Sequence, residues 1–236
     1  MMRHFGVLIP STNTTVEIEY SRLLPEGLQA HVGRLGKGPG IAFQPSKDED
    51  VDYQSYLLGT AKVEVIGLAQ TSASLFADDY DTVVKARMQA GSGVPAVTSA
   101  EAIGQAVQAL KCRRIALVSP YSEEVIGRAR RYYETRYGLE VLAVEPFGAT
   151  DAYAIGLLGP ENARDAFVRI DRPEIEALVV PGGNFPTMPS IAAWEREFGK
   201  PVITTNQAAL WAMLGIMGIR DRLPGLGRLL EEMPEG

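Results

Sequence analysis

Cysteine is almost missing from this chain, with one residue, Cys112, in 236. A lone thiol excludes an internal disulfide and any multi-cysteine zinc or iron–sulfur site. Histidine is nearly as scarce, with only His4 and His31. No His, Asp or Glu cluster has the spacing of metal ligands, so no metal is expected. Long apolar runs are also absent, and no window nears the eighteen uninterrupted apolar residues that mark a membrane span. The chain enters a short strand-like run without a charged leader or small-residue cleavage site, so a cytoplasmic protein is expected and the Asn13-Thr14-Thr15 sequon reads as accidental.

Positive charge is in deficit too. The net charge of −6 leaves no clustered Lys and Arg to displace counterions from a phosphate backbone, so nucleic acid is not an expected partner. Gly36-Lys37-Gly38-Pro39-Gly40 fits neither the phosphate-loop nor the dinucleotide pattern, and no cofactor is expected.

What remains is an ordinary soluble composition, 46% apolar, enough for a large core in one or two lobes. The chain also repeats itself. Arg3-His4-Phe5-Gly6-Val7-Leu8-Ile9-Pro10 is echoed by Arg113-Arg114-Ile115-Ala116-Leu117-Val118-Ser119-Pro120, and Gly93-Val94-Pro95-Ala96-Val97-Thr98-Ser99 by Gly199-Lys200-Pro201-Val202-Ile203-Thr204-Thr205. The apolar run ending at Ala69 returns in the run ending at Val180. One duplicated lobe explains all three.

Apolar runs of strand length lie at Phe5–Ile9, Val63–Ala69, Val94–Val97, Ile115–Val118, Val141–Val144, Ala177–Val180 and Val202–Ile203. Near-continuous apolarity predicts parallel strands covered on both faces. Helix-length segments alternate with them, among them Ala100–Leu110, Glu123–Tyr137, Ile191–Phe198 and Gln207–Met217. The pattern predicts an α/β fold of two pseudo-symmetric lobes, each a mostly parallel sheet flanked by helices, with the site between them. The expected lobes are 1–100 plus 205–236, and 101–204. Thr14 to Glu17 and Thr98 to Glu101 are read as capping boxes, Gly33 to Pro45 as a flexible loop, and Leu223 to Gly236 as a tail.

In open α/β sheets, ligands bind outside the carboxyl ends of the strands. The loops there are Pro10-Ser11-Thr12-Asn13-Thr14-Thr15, Gln70-Thr71-Ser72-Ala73-Ser74, Pro120-Tyr121-Ser122 and Pro181-Gly182-Gly183-Asn184. They are rich in small hydroxyls and amides, which cap helices and which, with unpaired backbone N–H groups, also form an anion pocket without any basic side chain. A small carboxylate suits such a pocket. His4 and His31 are expected in structural or surface roles, and Glu145 is the one acidic residue with a candidate place near the tips. Phe43, Phe76, Tyr153, Phe185 and Met188 are expected to set the pocket's volume.

These loops resemble the aspartate/glutamate racemase superfamily, and within it the arylmalonate decarboxylases and maleate cis-trans isomerases. The resemblance spans nearly the whole chain, and the four motifs occur in the family's order. It implies that Ser11 and Asn13 hold a substrate carboxylate, that Thr71, Ser72 and Tyr121 form a catalytic dioxyanion pocket with Gly182 and Gly183, and that Gln70 orients the substrate. It also implies that Gln70 and Pro181 stand where the family carries thiols, so both sulfurs are replaced. Cys112 cannot substitute, because it precedes a strand at the opposite end of the sheet. A thiol can be tuned to exchange protons near neutrality, whereas a tyrosine starts near 10. The expectation is therefore a cofactor-independent lyase or isomerase of a small (di)carboxylic acid, acting through an enediolate with decarboxylation favoured. The competing expectation is a catalytically silent carboxylate-binding protein, or a member with thiol-independent chemistry. Homo-oligomerisation is left open.

Overall fold

The computed structural model describes residues 2–37, 43–149 and 151–235. One sheet holds β1 (Arg3–Pro10), β2 (Leu28–Leu35), β3 (Ile66–Leu68) and β4 (Ala96–Thr98) in the order β2-β1-β3-β4. The other holds β5 (Arg114–Ser119), β6 (Glu140–Pro146), β7 (Ala177–Val180) and β8 (Val202–Thr204) in the order β6-β5-β7-β8. All neighbours are parallel, and parallel neighbours need crossover connections. Helices supply most of these: α1 (Val16–Leu23), α2 (Asp48–Thr60), α3 (Tyr80–Ser92), α4 (Ser99–Ala109), α5 (Glu123–Tyr137), α6 (Pro160–Ile170), α7 (Ile191–Phe198) and α8 (Thr205–Ile216). A short α9 (Arg228–Glu232) follows.

The two sheets share one strand order because the echoed sequences are the equivalent strands, β1 with β5, β3 with β7 and β4 with β8. Every residue of β3, β7 and β8 is buried, as helix-covered parallel strands require. The expected lobe division falls at the N-termini of α4 and α8. These two helices pack on each other, and each touches both β4 and β8.

The lobes are joined by buried polar contacts as well. Asp81, wholly buried on α3, accepts from Ser74 Oγ at 2.6 Å, Thr98 Oγ1 at 2.7 Å, Tyr132 Oη at 2.6 Å and Arg136 Nη1 at 3.2 Å. Tyr132 and Arg136 belong to α5, in the second half of the repeat. Glu19 on α1 accepts from the backbone N–H groups of Thr187 (2.7 Å) and Met188 (2.8 Å), and from Asn206 Nδ2 (2.6 Å). Burial raises its carboxyl above the usual range, while those donors pull it back.

Helices α2 and α3 are not singled out by the apolar pattern, since Tyr53, Tyr56 and Leu57 lie exposed on α2 and break its stripe. Glycine lets the two approach: a Cβ at Gly59 would stand 2.5 Å from the Ser92 carbonyl oxygen. Gly59→Ala is therefore expected to destabilise by about 1–3 kcal/mol through overpacking, read as a lowered urea midpoint with an unchanged m-value.

Three local expectations need correction. Asn13, not Thr14, caps α1: its Oδ1 accepts from Thr15 N and Val16 N, both at 3.0 Å, while Glu17 pairs with Arg34. Gly33 to Leu35 belong to β2 rather than to a loop, and 38–42 of that expected loop lie outside the described residues. The C-terminal stretch is docked, with Leu229 and Leu230 fully buried and Glu195 accepting from Arg228 N at 2.8 Å. Gly236 lies outside the described residues. Of the second expected capping box one half is present: Thr98 Oγ1 accepts from Glu101 N at 3.4 Å, while the Glu101 carboxylate pairs with Lys85 and Arg136.

Candidate active site

The four strand-tip loops surround a cavity of about 290 Å³. Ser11, Asn13, Gln70, Thr71, Ser72, Tyr121, Gly182 and Gly183 all line it. Pro181 is not among its described lining residues; its carbonyl accepts from Ser119 Oγ at 2.7 Å, which ties the loops after β5 and β7 together.

Tyr121 is 4% exposed and follows β5. Its ring lies 5.2 Å from that of Phe43. Burial pushes its phenol well above the ordinary value, while the polar groups of Ser72 and Thr71, which line the same cavity, act the other way. Donors that converge on a phenolic oxygen favour its anionic form, and burial favours the neutral one; burial wins here. Tyr121 therefore keeps its proton near neutrality and serves as a donor.

Thr71 and Ser72 open a short 3-10 helix, Thr71–Leu75. The first N–H groups of a helix have no partner within it, which leaves the Ser72 N–H available at the cavity wall. Thr71 Oγ1 lies 2.9 Å from Ser99 Oγ and 3.1 Å from Thr205 Oγ1. Gly182 lines the cavity, but its N–H donates to Thr205 Oγ1 at 2.8 Å and so does not serve a ligand as expected. Gly183 N–H donates to no partner among the described residues. Glycine is required at 182: its φ is 145°, and a Cβ there would meet Pro120 Cγ at 2.9 Å.

Asn13 is 2% exposed. With Oδ1 fixed by two backbone donors, its amide orientation is set by the network, and Nδ2 makes no hydrogen bond among the described residues. Gln70 differs from expectation. Its Nε2 donates to the Gln44 carbonyl at 2.9 Å and its Oε1 accepts from Ser46 N at 3.3 Å. The amide clasps the segment that carries Phe43 instead of standing free for a substrate.

Sequence reasoning missed several wall residues. Leu35, Ala69, Ala152 and Ile155 join Phe43 in an apolar wall, and Lys37 and Asp151 are its charged members. Lys37 follows β2 and Asp151 follows β6, which occupy the same place in the two sheets; that correspondence was the available signal. Asn184 also lines the cavity and joins the halves, its Oδ1 accepting from Thr14 N at 2.7 Å and its Nδ2 donating to Ala152 O at 2.8 Å. Of the residues expected to set pocket volume, only Phe43 does so. Phe185 and Met188 are fully buried in the core, Tyr153 is exposed, and Phe76 packs under Arg128.

Glu145 is paired with Arg169 outside the cavity wall. His4 Nδ1 and His31 Nε2 lie 3.0 Å apart on adjacent strands, away from the tips. Cys112 precedes β5, and burial pushes its thiol up to about 11. No sulfur lines the cavity among the described residues. Among the described residues no group of three His, Cys, Asp or Glu side chains could hold a metal ion.

The family model for arylmalonate decarboxylase matches residues 6–230. The chain belongs to the arylmalonate decarboxylase family. Within that family's reach, it is 28% identical to a maleate isomerase of Pseudomonas putida, over 95% of this chain and 96% of the relative. It is 23% identical to the arylmalonate decarboxylase of Bordetella bronchiseptica, over 96% of each. Among solved structures, a Nocardia farcinica maleate cis-trans isomerase mutant with a covalently bound succinylcysteine intermediate superposes with a TM-score of 0.87 at 25% identity, covering 98% of this chain and 99% of that one. The fold of this family member is thus that of its isomerase and decarboxylase relatives.

Proposed function

We propose that this protein is a cofactor-independent decarboxylase of a small carboxylic acid that bears a second, cleavable carboxylate, working through a dioxyanion-stabilised enediolate. The observation that carries the reading is the convergence of Thr71, Ser72 and Tyr121 on one cavity whose described wall residues contain no sulfur. The family relatives are isomerases and decarboxylases. A sulfur adduct of the kind named for the Nocardia enzyme has no atom to form on among the described residues of this cavity, which favours decarboxylation over thiol-dependent isomerisation.

In the proposed step, the retained carboxylate lies in the nest of Thr71, Ser72 and Tyr121, with Gly183 N–H in the place expected for Gly182. The other carboxylate sits against Leu35, Phe43 and Ile155, where poor solvation favours its loss as neutral CO₂. The carbon–carbon bond breaks, its electron pair passes into the enediolate, and donors aimed at the developing charge stabilise it. A proton from Tyr121 or water then returns to the carbon. Ser11 and Asn13 Nδ2 bind a further polar group of the substrate.

The test is a panel of phenylmalonate, other arylmalonates and maleate, followed by CO₂ release, fumarate formation and thermal shift. CO₂ release from an arylmalonate without fumarate from maleate is the expected result. Stabilisation without any product would replace the enzyme with a silent carboxylate binder. Pro181→Cys, which restores sulfur beside Gly182, is expected to raise arylmalonate turnover; no gain in a folded variant means that the pocket serves another acid.

A further inference from the structure

A hydroxyl offers one proton and two acceptor sites, so a chain of hydroxyls has a direction only if one end is fixed. Here one end is fixed. Gly182 N–H can only donate, and it ends on Thr205 Oγ1. The Thr205 proton has one acceptor among the described residues, Thr71 Oγ1. Ser99 Oγ has the same single partner. Thr71, Ser99 and Thr205 are each no more than 1% exposed, so bulk water does not compete for these protons.

We infer that Ser99 and Thr205 are positioning residues that fill both acceptor sites of Thr71 Oγ1, so that the Thr71 proton is forced toward the cavity. Two contacts among three hydroxyls leave one proton over; Thr71 lines the cavity, whereas Ser99 and Thr205 are not among its described lining residues, so only a Thr71 proton can meet an acceptor there, and orphaning either of the others costs more. The run from Gly182 through Thr205 to Thr71 and the cavity then points one way, each donor polarising the next. The nest is thereby a donor of fixed sign that selects an anionic oxygen over a neutral one.

The repeat explains how this came to be built. Ser99 and Thr205 are equivalent positions, the first residues of α4 and α8 after β4 and β8. Both copies have turned toward the same loop, while the hydroxyl of Thr205 also reaches the Gly182 loop of the other half. The inference rests on the proposed carboxylate nest and states what sets its preference.

Two measurements test it. Neutron diffraction of the perdeuterated protein is expected to place the Ser99 and Thr205 deuterons on the lines to Thr71 Oγ1, and the Thr71 deuteron toward the cavity. A Thr71 deuteron on Ser99 or Thr205 overturns the inference, whatever the protein binds. Calorimetry with phenylacetate and its neutral isostere phenylacetamide supplies the functional arm. Ser99→Ala and Thr205→Val are each expected to narrow the preference for the carboxylate about tenfold, in line with loss of a hydrogen bond to a charged group, and Thr205→Ser to keep it. A merely structural role would weaken both ligands alike, and unchanged preference in folded variants overturns the inference. If the wild type binds neither compound, the carboxylate reading fails, and the deuteron positions still decide the direction of the chain.

Discussion

Tyr121→Phe is expected to lower kcat about 100- to 1,000-fold on whichever arylmalonate is turned over, the magnitude typical for removing one donor from an oxyanion site. KM should change far less, because Thr71 and Ser72 still hold the carboxylate in the ground state. The pH profile carries a second signature. Burial raises the Tyr121 phenol, so the proton is retained through neutrality, and loss of Tyr121 ionisation cannot produce an alkaline decline in kcat below about pH 10. The sign for stability follows from the same shift. Above about pH 10 the unfolded chain would release this proton while the native state still holds it, so Tyr121 makes the fold less stable as pH rises beyond that point. Steady-state kinetics between pH 6 and 10 on both proteins check the claim, and a Phe variant with unchanged kcat would remove tyrosine from the mechanism.

Asp81→Ala is expected to be the most destabilising single change. It leaves three hydroxyls and the Arg136 guanidinium facing a void in the core. Breaking a buried, multiply bonded carboxylate costs about 3–5 kcal/mol, which in a chain of this size lowers Tm by about 10 °C. Arg131→Ala is the contrast: it removes the exposed pair with Asp78 and should change stability by less than about 1 kcal/mol. Urea denaturation of both variants separates the cases, and equal midpoints would mean that Asp81 does not secure the packing of α3 on α5.

The repeat was legible because strand tips and strand entries are written in short apolar runs with proline and hydroxyl punctuation, and both copies kept them. The tip loops were legible for the same reason, and of the site residues expected on them, Ser11, Asn13, Gln70, Thr71, Ser72, Tyr121, Gly182 and Gly183 line the cavity and Pro181 does not. Hydrogen-bond allegiance was not legible. Gln70, Gly182 and Asn13 each sit where expected, yet Gln70 holds a neighbouring segment, the Gly182 N–H is taken by Thr205, and Asn13 uses its oxygen on α1. Spacing places a residue but does not reveal which of its polar atoms remain free. Asp81 and Glu19 were invisible for a related reason: their partners lie up to 187 residues away, and a lone acid on a helix reads as solvated.

The clasp made by Gln70 sets a limit on how this scaffold can be retrofitted. Only a side chain with both a donor and an acceptor at amide reach can hold Gln44 and Ser46 at once, and cysteine has neither the length nor the second function. A sulfur nucleophile engineered at 70 would therefore arrive with a breach in the wall that backs Phe43, trading enclosure for reactivity. Position 181 carries no such duty for its side chain, so the two half-sites of the duplicated lobe are unequal ground for new chemistry.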